Sequence, residues 1–169
     1  MRLILPIVVA SLAGPALAQE TRELESHEHG HVTLQIAVEG SSVEMALEAP
    51  GKNIVGFEHA AETDEQRAMV SEAEGQLSDP LALFELPQAA GCETTASEVE
   101  LHIEGTHSAF EAKYALECAD PSALTSIGTT LFEIYPTIEE IEVEYATPAG
   151  QGAGELEPGS ATLTIPSTS

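Results

Sequence analysis

Histidines are the residues of this sequence best suited to chemistry, because three of the six fall within five positions. They lie in the segment His27-Glu28-His29-Gly30-His31. Neutral imidazole is a nitrogen ligand suited to zinc, copper or nickel, and short histidine-rich segments bind such ions readily. The cluster therefore favours metal binding over the alternative, an exposed polar arm with solvated imidazoles.

A metal site would need ligands from other parts of the chain as well. On an extended strand the clustered imidazoles would stand about 6.8 Å apart at each step, which is too wide for tight chelation. A tetrahedral zinc ion takes four ligands. Further donors are available in a predicted loop and in a predicted hairpin turn. The candidate ligands are therefore His27, His29, His31, Glu58, His59 and His107.

Two histidines can also be interpreted without a metal ion. His59 could equally be a structural histidine that is held by hydrogen bonds. His102 shares a predicted strand face with Glu100 and Glu104, so solvation is favoured for its side chain. We therefore keep His59 among the candidates and leave His102 out.

Catalytic motifs are missing from the sequence. No serine lies in a Gly-x-Ser-x-Gly elbow, and no His-Glu-x-x-His helix pattern or glycine-rich phosphate loop occurs. Carboxylates are so frequent that no pair of them is informative. We expect no enzymatic activity, although a metal-dependent enzyme with an open coordination position stays as an alternative.

Acidic side chains dominate the charge of the chain, with 29 Asp and Glu against 5 Lys and Arg. Such a surface repels nucleic acid and anionic lipid, and it attracts cations, metal ions included. Adaptation to a high-salt habitat, where salt screens the self-repulsion, would give the same composition. The charge therefore argues against nucleic-acid partners, but it is weak evidence for metal binding.

The N-terminus has the three parts of a secretory signal peptide. Arg2 is a minimal positive region, Leu3 to Leu12 is apolar, and Ala16 to Ala18 supplies the small residues of a cleavage site. The apolar run is too short to span a bilayer, and no later segment is apolar enough. We expect export and cleavage after Ala18, without membrane insertion; a buried N-terminal helix is the alternative.

Cys92 and Cys118 are the only cysteines. In an oxidising compartment such a pair most simply forms a disulfide. A metal site with two thiolates is the alternative, which the same oxidising conditions disfavour. The spacing of the pair excludes a catalytic Cys-x-x-Cys motif.

The chain after the signal peptide has the length of one domain. We predict a flexible, histidine-containing arm over residues 19–30 and a single domain over residues 31–169. Apolar residues alternate on both sides of Gly40–Ser42 and again around Gly105–Ser108, which predicts two β-hairpins.

A helix is predicted between the hairpins, because Thr63 and Gln66 form a capping box. Its buried face would carry Met69, Ala73 and Leu77. Downstream, residues 129–134 and 140–145 are predicted strands, residues 149–159 a glycine-rich loop, and residues 162–165 an edge strand. These elements predict an α+β fold, in which an antiparallel sheet from two β-hairpins and additional strands carries a few short helices.

Five stretches of this sequence resemble, in order, the DUF2796 family of ZrgA-like zinc-uptake proteins from the periplasm of Gram-negative bacteria. The resemblance covers nearly all of the chain after residue 18, and its most specific part is Asn53 to His59. The stretches are His27–His31 with Leu34–Gly40, Asn53–His59, Leu83–Pro87 with Ala90–Cys92, Phe110–Tyr114 with Cys118–Asp120, and Leu131–Pro136.

The resemblance implies a periplasmic zinc-binding protein that assists zinc import beside an ABC-type importer and has no enzymatic activity. His29 and His59 match family positions. Many members carry a long insertion rich in His, Asp and Glu before the strand of Phe110, where this chain has only Gly105–Ser108. Zinc would therefore depend mainly on the N-terminal histidines and His59.

Overall fold

A computed structural model of the chain describes residues 30–167, so the predicted signal peptide and the predicted arm up to His29, with His27, lie outside the described residues. The strands are β1 (His31–Glu39), β2 (Ser42–Pro50), β3 (Phe84–Glu85), β4 (Cys92–Glu104), β5 (His107–Cys118), β6 (Ser126–Thr129), β7 (Glu140–Thr147), β8 (Gly150–Leu156) and β9 (Thr162–Thr164). The helices are α1 (Gly51–Ile54), α2 (Asp64–Leu77), α3 (Pro80–Leu83) and α4 (Leu131–Ile134).

Six strands form one large sheet in the order β4-β5-β2-β1-β7-β8, and β3, β6 and β9 form a small antiparallel one. The two predicted hairpins are confirmed as β1–β2 and β4–β5, and they adjoin through β2 and β5. One pairing in the large sheet is parallel, that of β1 with β7. The predicted α+β fold is confirmed, with a mixed large sheet.

The large sheet buries one of its two faces. Strand β1 alternates strictly, with Val32, Leu34 and Ile36 buried and their neighbours exposed, as period-two patterning requires. The buried face joins one core with residues of the small sheet and of the helices, among them Leu77 and Phe84. The opposite, outward face of the large sheet carries mainly alanine and polar side chains.

The predicted glycine-rich loop over residues 149–159 is wrong, because strand β8 occupies most of it. Its glycines are needed because large side chains lie directly on them. A Cβ atom at Gly152 would come within 2.5 Å of the Tyr145 hydroxyl oxygen, and one at Gly154 within 2.6 Å of Leu163. The glycines of β8 therefore allow these side chains to pack closely on the strand, and they do not indicate a flexible loop.

Two further predictions were wrong in detail. Leu131–Ile134 forms the short helix α4, not the end of a strand, because β6 already ends at Thr129. The capping box of Thr63 and Gln66 begins α2 as predicted, and Ala73 is buried. Met69, however, is 45% exposed, because the face of α2 that packs on the core passes through Val70 in its place.

The disulfide prediction is confirmed. Cys92 and Cys118 stand opposite each other on β4 and β5, with an S–S distance of 2.02 Å and a sequence separation of 26. Strand β4 lies at the edge of the large sheet and its side chains are mostly exposed. The bond therefore anchors the start of an edge strand to a buried one.

No helix among residues 30–167 has both the length and the apolar character that a bilayer-spanning helix requires.

Two buried tyrosines predict a loss of stability at alkaline pH. Burial, together with the nearby Tyr135, raises the pKa of Tyr114, and burial with Glu72 raises the pKa of Tyr135. The folded protein therefore keeps both phenol protons at a pH where the unfolded chain loses them. Stability is fully present below pH about 10, the ordinary tyrosine pKa, and falls as the pH rises above it.

The Tyr114→Phe variant tests this explanation of the loss of stability at alkaline pH. The Tyr114 hydroxyl donates a hydrogen bond to the Leu77 carbonyl oxygen at 2.8 Å, so its loss is expected to cost about 1 kcal/mol at neutral pH. The fall in melting temperature above pH about 10 should become shallower than in the parent protein. Parallel curves for the two proteins in thermal melts against pH would contradict the assignment.

Candidate metal centre

The candidate ligands are positioned by one end of the large sheet. Strand β2 ends at Pro50, which stands opposite Ala109 near the start of β5. The chain then turns into α1 and a loop that leads to Glu58 and His59. Because β1 begins at this same end, the segment that precedes His31 enters the fold here.

Asn53 fixes the entry of the N-terminal segment. Its Oδ1 accepts a hydrogen bond from the Gly30 backbone N–H at 3.2 Å, and its Nδ2 donates to the Thr137 carbonyl at 2.8 Å. The Thr137 hydroxyl in turn donates to the Asn53 carbonyl at 2.8 Å. The buried amide therefore binds together α1, the start of β1 and the segment before β7, directly beside His31.

The Asn53→Ala variant should lose about 2 kcal/mol of stability, since one buried and one partly buried backbone group lose their partners. Asn53→Asp keeps an acceptor for the Gly30 N–H but sets a buried carboxylate against the Thr137 carbonyl oxygen, so it should lose stability as well. Urea unfolding should rank the parent above both variants. Equal stability of the parent and the alanine variant would contradict this role.

Gly51 lets the loop pack closely on β5. A Cβ atom there would collide with the hydroxyl oxygen of the buried Ser108 and lie 2.9 Å from the Phe57 carbonyl oxygen. Only glycine permits this approach. The close packing holds the loop residues after Phe57 against the start of β5, where His107 lies.

Glu58 and His107 are the two candidate ligands that this packing brings into contact. His107 Nδ1 lies 3.1 Å from Glu58 Oε2. The Glu58 side chain is only 15% exposed, whereas that of His107 is 62% exposed. A carboxylate that accepts the Nδ1 proton leaves the Nε2 lone pair for a metal, which is the usual carboxylate–histidine–zinc arrangement. The geometry thus suits Glu58 as the group that orients His107.

His59 lies on the other side of Glu58 in the same loop. Its ring stacks on Phe57 with 5.1 Å between centroids, and its Nδ1 lies 2.9 Å from the Ala60 carbonyl oxygen. A carbonyl accepts only a proton, so Nδ1 carries the hydrogen and Nε2 is the nitrogen with metal-binding capacity. Both imidazoles of this region are therefore held in the same tautomer.

His31 occupies a separate position. It begins β1, and its Nδ1 lies 3.4 Å from Glu140 Oε1 on the parallel neighbour β7. Strand β2 separates β1 from β5, so the two strand axes are about 10 Å apart. His31 thus lies two strand spacings from β5, and its link to the candidate centre is its position next to Gly30.

Within residues 30–167 no three His, Cys, Asp or Glu side chains gather closely enough to hold a metal ion. The described residues thus fit zinc in their donor chemistry and supply two oriented imidazoles, fewer than the four ligands of a tetrahedral ion. His27 and His29, the other candidate ligands, lie outside the described residues. His102 is exposed on β4, as the charged strand face predicts.

Two side chains that shape this region, Asn53 and Glu140, were not predicted from the sequence. Asn53 gave no signal beyond its place in the Asn53–His59 stretch, since a polar residue before a loop is usually exposed. Glu140 could be assigned to His31 only after the parallel pairing of β1 with β7 was known. A parallel pairing between strands about a hundred residues apart leaves no local pattern in the chain.

The fold and the candidate centre together define a class of protein. It is an α+β protein whose large sheet leaves one face open and places imidazole and carboxylate groups at one end. Residues 26–165 match the ZrgA family of zinc uptake proteins, and the chain belongs to that family. No curated protein matches the sequence. Family membership confirms the resemblance drawn from the sequence and connects the protein with zinc uptake.

Proposed function

We propose that the protein is an exported zinc-binding protein that assists zinc acquisition in the periplasm, beside an ABC-type zinc importer, and that it is not an enzyme. The observation that carries the proposal is the His107–Glu58 pair, in a chain that belongs to a zinc uptake family. Zinc is the cargo in this account. Its binding would use the Nε2 atoms of His107 and His59 together with imidazoles of the N-terminal segment.

Several features support a site that binds zinc reversibly. Imidazole ligands must be neutral to bind a metal, so protons compete with zinc for them. His107 and His59 are both exposed, which leaves their Nε2 atoms accessible for loading and release. The surrounding surface is strongly acidic, and a negative field raises the local concentration of cations.

The disulfide and the family support export, since disulfides persist in oxidising compartments. In such a compartment the disulfide-bonded cysteines are not available as thiolate ligands, so nitrogen and oxygen donors must hold the metal. This agrees with a site built from histidines and carboxylates.

Calorimetric titration of the purified protein with zinc near neutral pH tests the proposal. We expect saturable binding, a higher melting temperature in the presence of zinc, and at least about tenfold weaker binding in His59→Ala and in His29→Ala. Absence of zinc binding would overturn the proposal and would favour an exported interaction module with incidental histidines.

A further inference from the structure

The outward face of the large sheet forms an open trough of about 1010 Å³, away from the candidate metal centre. The residues that line it all belong to strands of the large sheet. Four adjacent strands contribute alanines to its floor, namely Ala37, Ala46, Ala115 and Ala146, with Gln35, Glu44 and Lys113 between them. An outward sheet face normally carries long polar side chains, so an alanine floor is a departure from the usual pattern.

Carboxylates line the trough as well. Glu98 and Glu144 form its rim on β4 and β7, whereas Glu44 lies within the floor between Ala37 and Ala115. Among the lining residues the one cation is Lys113. Gln35 Nε2 donates to Glu144 Oε2 at 3.1 Å, which holds that carboxylate in place over the sheet. The trough therefore combines alanines with negative charge in its floor and on its rim.

The strands that line the trough also carry like charges in direct register just outside it. Glu100 stands opposite Glu111 on β4 and β5, and Glu142 stands opposite Glu155 on β7 and β8. Like charges directly across two strands are destabilising, and local rules of this kind are broken mainly where function requires it. The repulsion between these pairs would be relieved by a positively charged partner.

We propose that this trough is the docking site for a basic amphipathic helix of a partner protein. An extended peptide would gain no backbone hydrogen bonds here, because the strands of the floor already have neighbours on both sides. A helix satisfies its own backbone and can lay an apolar face on alanines. The sheet is about 24 Å wide, five spacings of roughly 4.8 Å, which matches about 16 helical residues.

Charge argues against two other occupants of the trough, namely the N-terminal segment of this chain and a second copy of it. Residues 19–29 contain four glutamates and one arginine, so this segment would be repelled by the rim. A second copy of the chain would present the same acidic face, and the whole chain has a net charge of −24. A partner with lysine or arginine beside an apolar helix face complements both features of the trough.

The test uses a synthetic helical peptide of about 16 residues, with leucines on one face and lysines on the other. A peptide of the same composition in permuted order, without an apolar face, controls for general attraction to an acidic protein. Calorimetric titrations are run with a chelator, so that zinc binding plays no part. We expect one-to-one binding of the amphipathic peptide, at least about tenfold tighter than that of the permuted one.

Protein variants locate the binding. Ala37→Trp and Ala46→Trp fill the floor and should each weaken binding about tenfold, whereas Ala68→Trp, on an exposed position of α2, should leave it unchanged. Ala37 is exposed, so its variant decides the question even if Ala46→Trp does not fold. Equal binding of both peptides, or unchanged binding in the floor variant Ala37→Trp, would overturn the proposal.

Discussion

Replacing Cys92 and Cys118 together by alanine is expected to lower the free energy of unfolding by about 3.5 kcal/mol. The disulfide closes a loop across 26 positions, and the chain-entropy model gives this value for a loop of that length. For a chain of this size the loss corresponds to a fall in melting temperature of about 7–14 °C. Thermal melts of the two proteins at one pH provide the measurement.

Reductant supplies the control for the disulfide. It should lower the melting temperature of the parent protein to that of the double variant and leave the variant itself unchanged. The loss of stability should be marked because β4 lies at the edge of the sheet. Without the disulfide, its first residues are held only by their pairing with β5. A double variant as stable as the oxidised parent would show that the bond adds no stability.

The second large effect concerns zinc affinity and the Glu58–His107 pair. We expect His107→Gln to weaken zinc binding about 10- to 100-fold, and Glu58→Gln to weaken it to a similar extent through the loss of the orienting carboxylate. If Glu58 acts only through His107, the double variant should be hardly weaker than His107→Gln alone. Calorimetric titration of the four proteins measures this coupling.

His102→Gln is the matched control, because it removes an exposed imidazole on β4 that lies outside the candidate centre. It should bind zinc like the parent. Additive losses in the double variant would instead assign Glu58 as a direct ligand, as its carboxylate alone would permit. Unchanged affinity in both single variants would remove the pair from the zinc site.

The sequence predicted the elements whose pattern is local. Alternation of apolar residues sufficed for β1, β2 and β5, and the capping box sufficed for the start of α2. Strand β8 could not be predicted in this way, since its glycines are explained by the packing of Tyr145 from β7 and Leu163 from β9 onto them. Its sequence alone has the composition of a loop.

In the candidate centre, too, some features could be predicted from the sequence and others depend on how the chain packs. The chemical types of the ligands were evident from the sequence, and so was the proximity of Glu58 to His59. The contact of Glu58 with His107 depends on the close packing of Gly51 against Ser108, which no spacing reveals. The division of roles between an orienting carboxylate and an imidazole ligand became visible only with that contact.

Anomalous scattering at the zinc edge, from crystals soaked in zinc, tests the central claim most directly. Our account predicts a peak about 2.0–2.1 Å from His107 Nε2, with at least one further imidazole from His59 or the N-terminal histidines in the same shell. Zinc found only at His102 or on the carboxylates of the outward sheet face, with no peak at His107, would contradict it.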